Sequence, residues 1–140
     1  MSEFSIVTAT RKGTDRNNAD RYAHFTSSTG RTAVCVVDMI GHDKSAPATG
    51  ALMAETAVRI GVQRGPLAES ETKVPRGERV LLLMSDGITD QVKRRTIKRL
   101  AKRHATRPKK LAKALVAAAE NRPSGRRDDA TVIIVTGTSG

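Results

Sequence analysis

An α+β domain is the fold class this sequence predicts, and two observations predict it. Short apolar runs that end or begin in acids mark strands at residues 33–38 (AVCVVD), 79–90 (RVLLLMSDGITD) and 128–135 (DDATVIIV). Elsewhere, apolar residues recurring at spacings of three and four mark amphipathic helices. The organising stretch is 79–90, whose run Val80 to Met84 stops abruptly at Ser85, Asp86 and Gly87. It reads as a strand buried on both faces, with Asp86 at its mouth. If the third run is antiparallel to the first two, Asp38, Asp86 and Asp128 gather at one end of one sheet, the outline of a cation site.

In chain order, residues 4–8 (FSIVT) read as a first strand and residues 11–20, rich in Asn, Asp and Gly, as a loop. Residues 21–25 are a short strand, and the turn signal SSTGR at 27–31 joins it to 33–38 as a hairpin. A helix follows from 46 or 47 to 60, with Leu52, Met53, Ala57 and Ile60 on its inner face and Gly61 as its stop. Residues 65–78, with Pro66, Pro75 and Gly77, read as a loop. A helix over 92–105 turns Val92, Ile97, Leu100, Ala101 and His104 inward, with Thr89 or Asp90 as N-cap. Pro108 in a first-turn position opens another helix to about residue 120, with Leu111, Ala112, Leu115, Val116 and Ala119 inward. Residues 122–127 break it and lead into the last strand.

At 140 residues and 38% hydrophobic content, residues 1–140 make one domain with a modest core. With Phe4, Tyr22 and Phe25 as its aromatics and no Trp, that core is aliphatic and base stacking is poorly provided for. The single Cys35 lies inside an apolar run, which fits a reducing compartment. The opening MSEFSIV has no basic segment leading into an apolar one, and no apolar run approaches membrane-spanning length. A soluble, cytoplasmic protein is expected, with no membrane partner. The formal net charge of +11 is concentrated: between Lys93 and Lys113 stand eleven Lys and Arg residues and no acid. Without interleaved aromatics, that cluster reads as a solvated face, and nucleic acid is not the expected partner.

Four motifs, NNADR at 17–21, VVDMIGH at 36–42, SDGITD at 85–90 and RRDDATVIIV at 126–135, together resemble the PP2C-type (PPM) metal-dependent protein serine/threonine phosphatases, especially bacterial members. The resemblance implies a β-sandwich with flanking helices holding two Mn or Mg ions, and a water that attacks a phosphoserine or phosphothreonine. It implies that Asp38 bridges both metals with help from the backbone carbonyl of Met39, that Asp86 and Asp128 hold one metal, and that Asp20 orients a metal-bound water. Carboxylate and carbonyl oxygens suit hard divalent cations, so the chemistry of these residue types agrees. No side chain is assigned as a general acid, because Ile40 stands where the family's acid histidine lies and His42 is further on.

The chain also departs from the family pattern. Met39 replaces a small Gly, Ala19 stands where Glu or Gln is common, and the phosphate-binding Arg aligns with Asp15, leaving neighbouring Arg16 as its substitute. The middle of the family domain, with several strands and a further Asp motif, has no counterpart around residues 61–78. The expectation is therefore a shortened PP2C-like β-sheet or partial β-sandwich whose hydrolysis is slow or absent. Five strands in one sheet with helices on a single face would leave the other face open, to be covered by a protein partner or a second copy. A catalytically inactive interaction domain is the alternative reading, and a basic nucleic-acid binder ranks behind both.

Overall fold

Apolar or small side chains at every position from Ala130 to Ile134 leave a strand with no face for water, and in the computed structural model of the chain this strand is the middle of a sheet. The structure describes residues 4–14, 17–40, 44–64, 80–119, 125 and 127–137. Its elements run β1 (Phe4–Arg11), β2 (Asp20–Thr26), β3 (Thr32–Asp38), α1 (Ala46–Arg64), β4 (Val80–Met84), α2 (Asp86–Thr89), α3 (Arg94–Arg103), α4 (Pro108–Ala118) and β5 (Ala130–Gly137). One sheet has the order β1-β5-β4 with both pairings antiparallel; the other is the antiparallel hairpin β2-β3.

The strand period of two sorts β5 between two layers. Ala130, Val132 and Ile134, with their cross-strand partners Val7 and Ala9 on β1 and Leu82 and Met84 on β4, pack into one core with Leu111, Ala112, Leu115 and Val116 of α4. Thr131 and Ile133 point the other way and are also fully buried, under the hairpin that contacts β5. The helix α1 packs on the outside of that hairpin. The layers are thus helix, sheet, sheet, helix: a small β-sandwich with helices on both outer faces. The hairpin turn follows its residues, with Gly30 at φ 81° and the Ser27 amide donating to the Arg31 carbonyl at 2.8 Å.

Several expectations change. The strands form two sheets rather than one, because Ala23 and Phe25 of β2 and Ala33, Cys35 and Val37 of β3 share one face of the hairpin and need α1 to cover them. The run Val80–Met84 is an edge strand, half-buried throughout, and the fully buried central strand is β5. Helix α1 does not stop at Gly61; it continues to Arg64, since Gly61 brings the helix against the Ala33 side chain. Its inward stripe is Ala46, Gly50, Ala54, Val58 and Val62, small residues four apart, while Leu52 and Met53 are exposed. The helix expected over 92–105 is α3, shorter at both ends and with Lys93 rather than Thr89 or Asp90 at its N-cap; the separate short helix α2 precedes it, with Asp90 at its C-cap. The inward face of α4 is as expected, with Pro108 in its first turn. The loop expected at 65–78 and residues His42 and Asp43 lie outside the described residues. Among the described residues, no helix is long and apolar enough to cross a membrane.

Candidate metal centre

Strand register brings two of the acids together before any side chain is considered. Asp20 opens β2 and Asp38 closes β3, and the two face each other across the hairpin. Asp86 is the first residue of α2, one residue beyond the end of β4, and Asp128 stands two residues before β5, which is antiparallel to β4. The same end of the sandwich therefore collects carboxylates from both sheets. The Asp38 carboxyl lies near enough to that of Asp86 to be raised by it, with the charges of Asp20 and Asp128 close enough to act on Asp38 as well.

That crowding has an electrostatic signature. The Asp38 carboxyl is pushed up to about 7, first by lost hydration, then by the contact with Asp86, then by the negative charges of Asp20, Asp86 and Asp128. Asp38 is exposed as a residue, yet its carboxyl end is partly withdrawn from water. Asp20 is also raised: burial dominates, hydrogen bonds from Ser85 and Thr131 oppose it, and Asp129 and Asp128 add to it. A crowd of carboxylates in which Asp20 and Asp38 are both raised has the donor chemistry of a hard-cation site. Among the described residues, no three His, Cys, Asp or Glu side chains already converge at ligand distance. Asp38, Asp86 and Asp128 are thus gathered at one end, with Asp38 and Asp86 near enough to influence each other.

The support behind these acids was not visible as a pattern in the sequence. Ser85 occupies the N-cap position of α2 but makes no cap bond there. Its hydroxyl instead donates to Asp20 Oδ2 at 2.8 Å and accepts from the Thr131 amide at 3.0 Å, tying β4, β2 and β5 together. Asp129, buried beside the exposed Asp128, accepts the Gly13 amide on Oδ1 and the Ala19 amide on Oδ2, both at 2.8 Å. One carboxylate thereby fixes both arms of the loop that delivers Asp20. Thr14 adds backbone and side-chain bonds to the Arg127 carbonyl at 2.9 and 3.1 Å.

Two glycines are required by close approach. A Cβ at Gly87 would overlap the Asp129 carbonyl oxygen, and one at Gly13 would overlap the Arg127 carbonyl oxygen. The Asp-Gly of SDGITD therefore serves contact between α2 and the start of β5 rather than a free turn. The doubled acid at 128–129 was the available signal for Asp129, since one Asp at a strand start suffices for a ligand and the second needs its own reason.

Met39 follows β3 and is half-buried, and its side chain turns toward α1, where Gly50 leaves room for it. A Cβ at Gly50 would come within 2.9 Å of the Met39 Cγ. The larger residue after Asp38 is thus absorbed by the helix. Ala19 is buried and enters the site through its amide alone. Arg16 lies outside the described residues.

A family model described as stage II sporulation protein E (SpoIIE) matches residues 49–137. The match covers Asp86 and Asp128 with the elements that carry them, and begins after the hairpin that carries Asp20 and Asp38. No curated protein and no solved structure matches the chain significantly.

Proposed function

The chain belongs to the SpoIIE family, a family of PPM-type phosphatases, and from that premise we propose that its PP2C-like domain is a metal-dependent phosphatase acting slowly on phosphoserine or phosphothreonine in proteins. The observation that carries the reading is the approach of Asp38, at the end of one sheet, to Asp86, which follows the edge strand of the other, with Asp20 and Asp128 beside them. In this reading Asp38, Asp86 and Asp128, with the Met39 carbonyl, hold two Mn or Mg ions. When bound, such ions neutralise charge on the phosphoryl oxygens and lower the pKa of a water nucleophile. The chain's own residues set the geometry. Asp38 is the group shared by both sheets, because it ends one and lies near the acid that follows the other. Asp20, held by the Ser85 hydroxyl, stands behind it and orients the water by accepting its hydrogen bond.

Slow turnover follows from what the chain lacks for positioning. Phosphoryl transfer depends on alignment and charge stabilisation, and misplacement alone costs about 100-fold. Ala19 offers only its backbone, and the phosphate clamp rests on Arg16. The test is hydrolysis of p-nitrophenyl phosphate and a phosphothreonine peptide by the purified chain, with and without Mn. Mn-dependent turnover well below roughly 1 per second, abolished in Asp38→Asn, is expected. Hydrolysis unaffected by Asp38→Asn would sink the reading.

A further inference from the structure

We propose that the free edge of β1, together with the lysines of α4, binds an extended acidic segment of a partner protein as an added strand of the sheet. Among the described residues, the sheet order β1-β5-β4 leaves one side of β1 without a neighbouring strand. Alternate residues of a strand turn their backbone N–H and C=O groups to each side, so half of those on β1 face that edge. Among the described residues, none of the backbone groups of Ser5 to Thr10 meets another strand there.

The edge is also the floor of a groove of about 420 Å³, lined by Ile6, Val7, Thr8 and Ala9 of β1 and by Lys109, Ala112 and Lys113 of α4. Apart from Thr8 and the two exposed lysines its walls are apolar, and neither β1 nor α4 contains an acid. Charge complementarity selects the occupant: a largely apolar slot rimmed by two ammonium groups favours carboxylates over a neutral or basic strand. The spacings agree. Lys109 and Lys113 are one helical step of four residues apart, about 6 Å of rise, and side chains at i and i+2 on a strand are about 6.7 Å apart. An incoming strand with acids at every second position would present them along the helix side of the sheet. Its intervening apolar residues would sit beside Ile6 and Thr8. Main-chain pairing would supply affinity and the alternate acids the selectivity, as in strand addition generally.

The surface differs from the carboxylate end in charge and place, and its function does not require a metal. A strand-adding acidic partner also differs from a polyanion held by the basic helices at large, because only the former needs backbone donors in phase with β1.

The experiment uses the full chain and a capped seven-residue peptide of alternating Glu and Val, titrated calorimetrically at physiological salt. The same peptide is made N-methylated at every second amide, in both phases. The expected result is that one methylated phase binds at least about tenfold more weakly while the other is unaffected, and that Lys109→Glu with Lys113→Glu weakens the unmodified peptide by a similar factor. Amide exchange should slow along residues 5–10 when the peptide binds. Equal binding of both methylated phases would overturn the proposal in favour of diffuse polyanion attraction. Absence of peptide binding would overturn it, as would equal binding of a Lys and Val peptide. So would a sedimenting dimer whose β1 amides are already slow to exchange, which would assign the edge to a second copy.

Discussion

The two halves of the sandwich are built differently. The β1-β5-β4 half is held by large aliphatic side chains, with Leu111, Leu115, Ile88, Val132 and Ile134 fully or almost fully buried between sheet and helices. The hairpin half is held by small ones: Ala46, Gly50, Ala54 and Val58 of α1 lie on β2 and β3, while Leu52 and Met53 face solvent. On the inner side of the hairpin, Asp20 is buried but Tyr22 and His24, further along the same face, are exposed. The sheets therefore close tightly at the acidic end and part toward the turn. The thin half contributes little burial, yet it supplies Asp20 and Asp38, so its placement must come from polar bonds to the thick half. Stability and chemistry are divided between the halves, and the seam between them is made by Ser85 and Asp129.

The largest effect expected from this division is on global stability. Leu115→Ala removes a fully buried side chain from the thick half and should cost about 2–5 kcal/mol in denaturant unfolding. Val58→Ala in the thin half, by contrast, should cost below about 2 kcal/mol, two methyl groups at about 0.8 kcal/mol each. Equal losses would remove the distinction between the halves.

Next in size is the seam itself. Asp129→Asn leaves one of the two amides, Gly13 or Ala19, facing an NH₂ group instead of a carboxylate oxygen. A buried donor without its acceptor costs about 1–3 kcal/mol. The loss should be accompanied by faster amide exchange at Gly13, Ala19 and Asp20 while residues 130–134 remain protected. Uniform loss of protection across both sheets would mean that Asp129 acts on the whole fold rather than on the seam.

The thick half was more legible in the sequence than the thin half, for a physical reason. Leu111, Ala112, Leu115, Val116 and Ala119 recur at helical spacing and are large enough on average to dominate the pattern, so the inward face of α4 could be read directly. In α1 the pattern misled, because the buried stripe is small and the exposed residues include Leu52 and Met53. Size and burial are there inverted by how closely the helix approaches the hairpin. The strands with acids at their ends were visible, as was the hairpin turn at 27–31. That Asp38 belongs to a different sheet from Asp86 was not, since pairing partners distant in sequence leave no local trace. Ser85 was also hidden: in sequence it only marks the end of an apolar run, and the fold alone sends its hydroxyl to Asp20. Asp129 could have been suspected from the doubled acid, but its two backbone partners lie more than a hundred residues away.

A smaller effect, because solvent screens the exposed Asp38, separates the halves by pH. The Asp38 carboxyl titrates at about 7 in the fold against an ordinary value of 3.8. The folded chain thus binds this proton more tightly than the unfolded chain. The stability this contributes is fully present below the ordinary value and is lost as pH rises through about 7. In metal-free protein, the denaturation midpoint should therefore fall between pH 4.5 and 8 more steeply in the wild type than in Asp38→Asn, which has no such carboxyl. Parallel pH profiles in the two proteins would show that the crowding of acids at the seam carries no strain.

The central claim is that the two halves meet to make one cation site. It is tested most directly by calorimetric titration of Mn into the wild type, Asp38→Asn from the thin half and Asp86→Asn from the thick half. The account predicts binding by the wild type that is weakened in both variants, with the fold of each verified by its unfolding transition. Unchanged Mn affinity in both variants would contradict it.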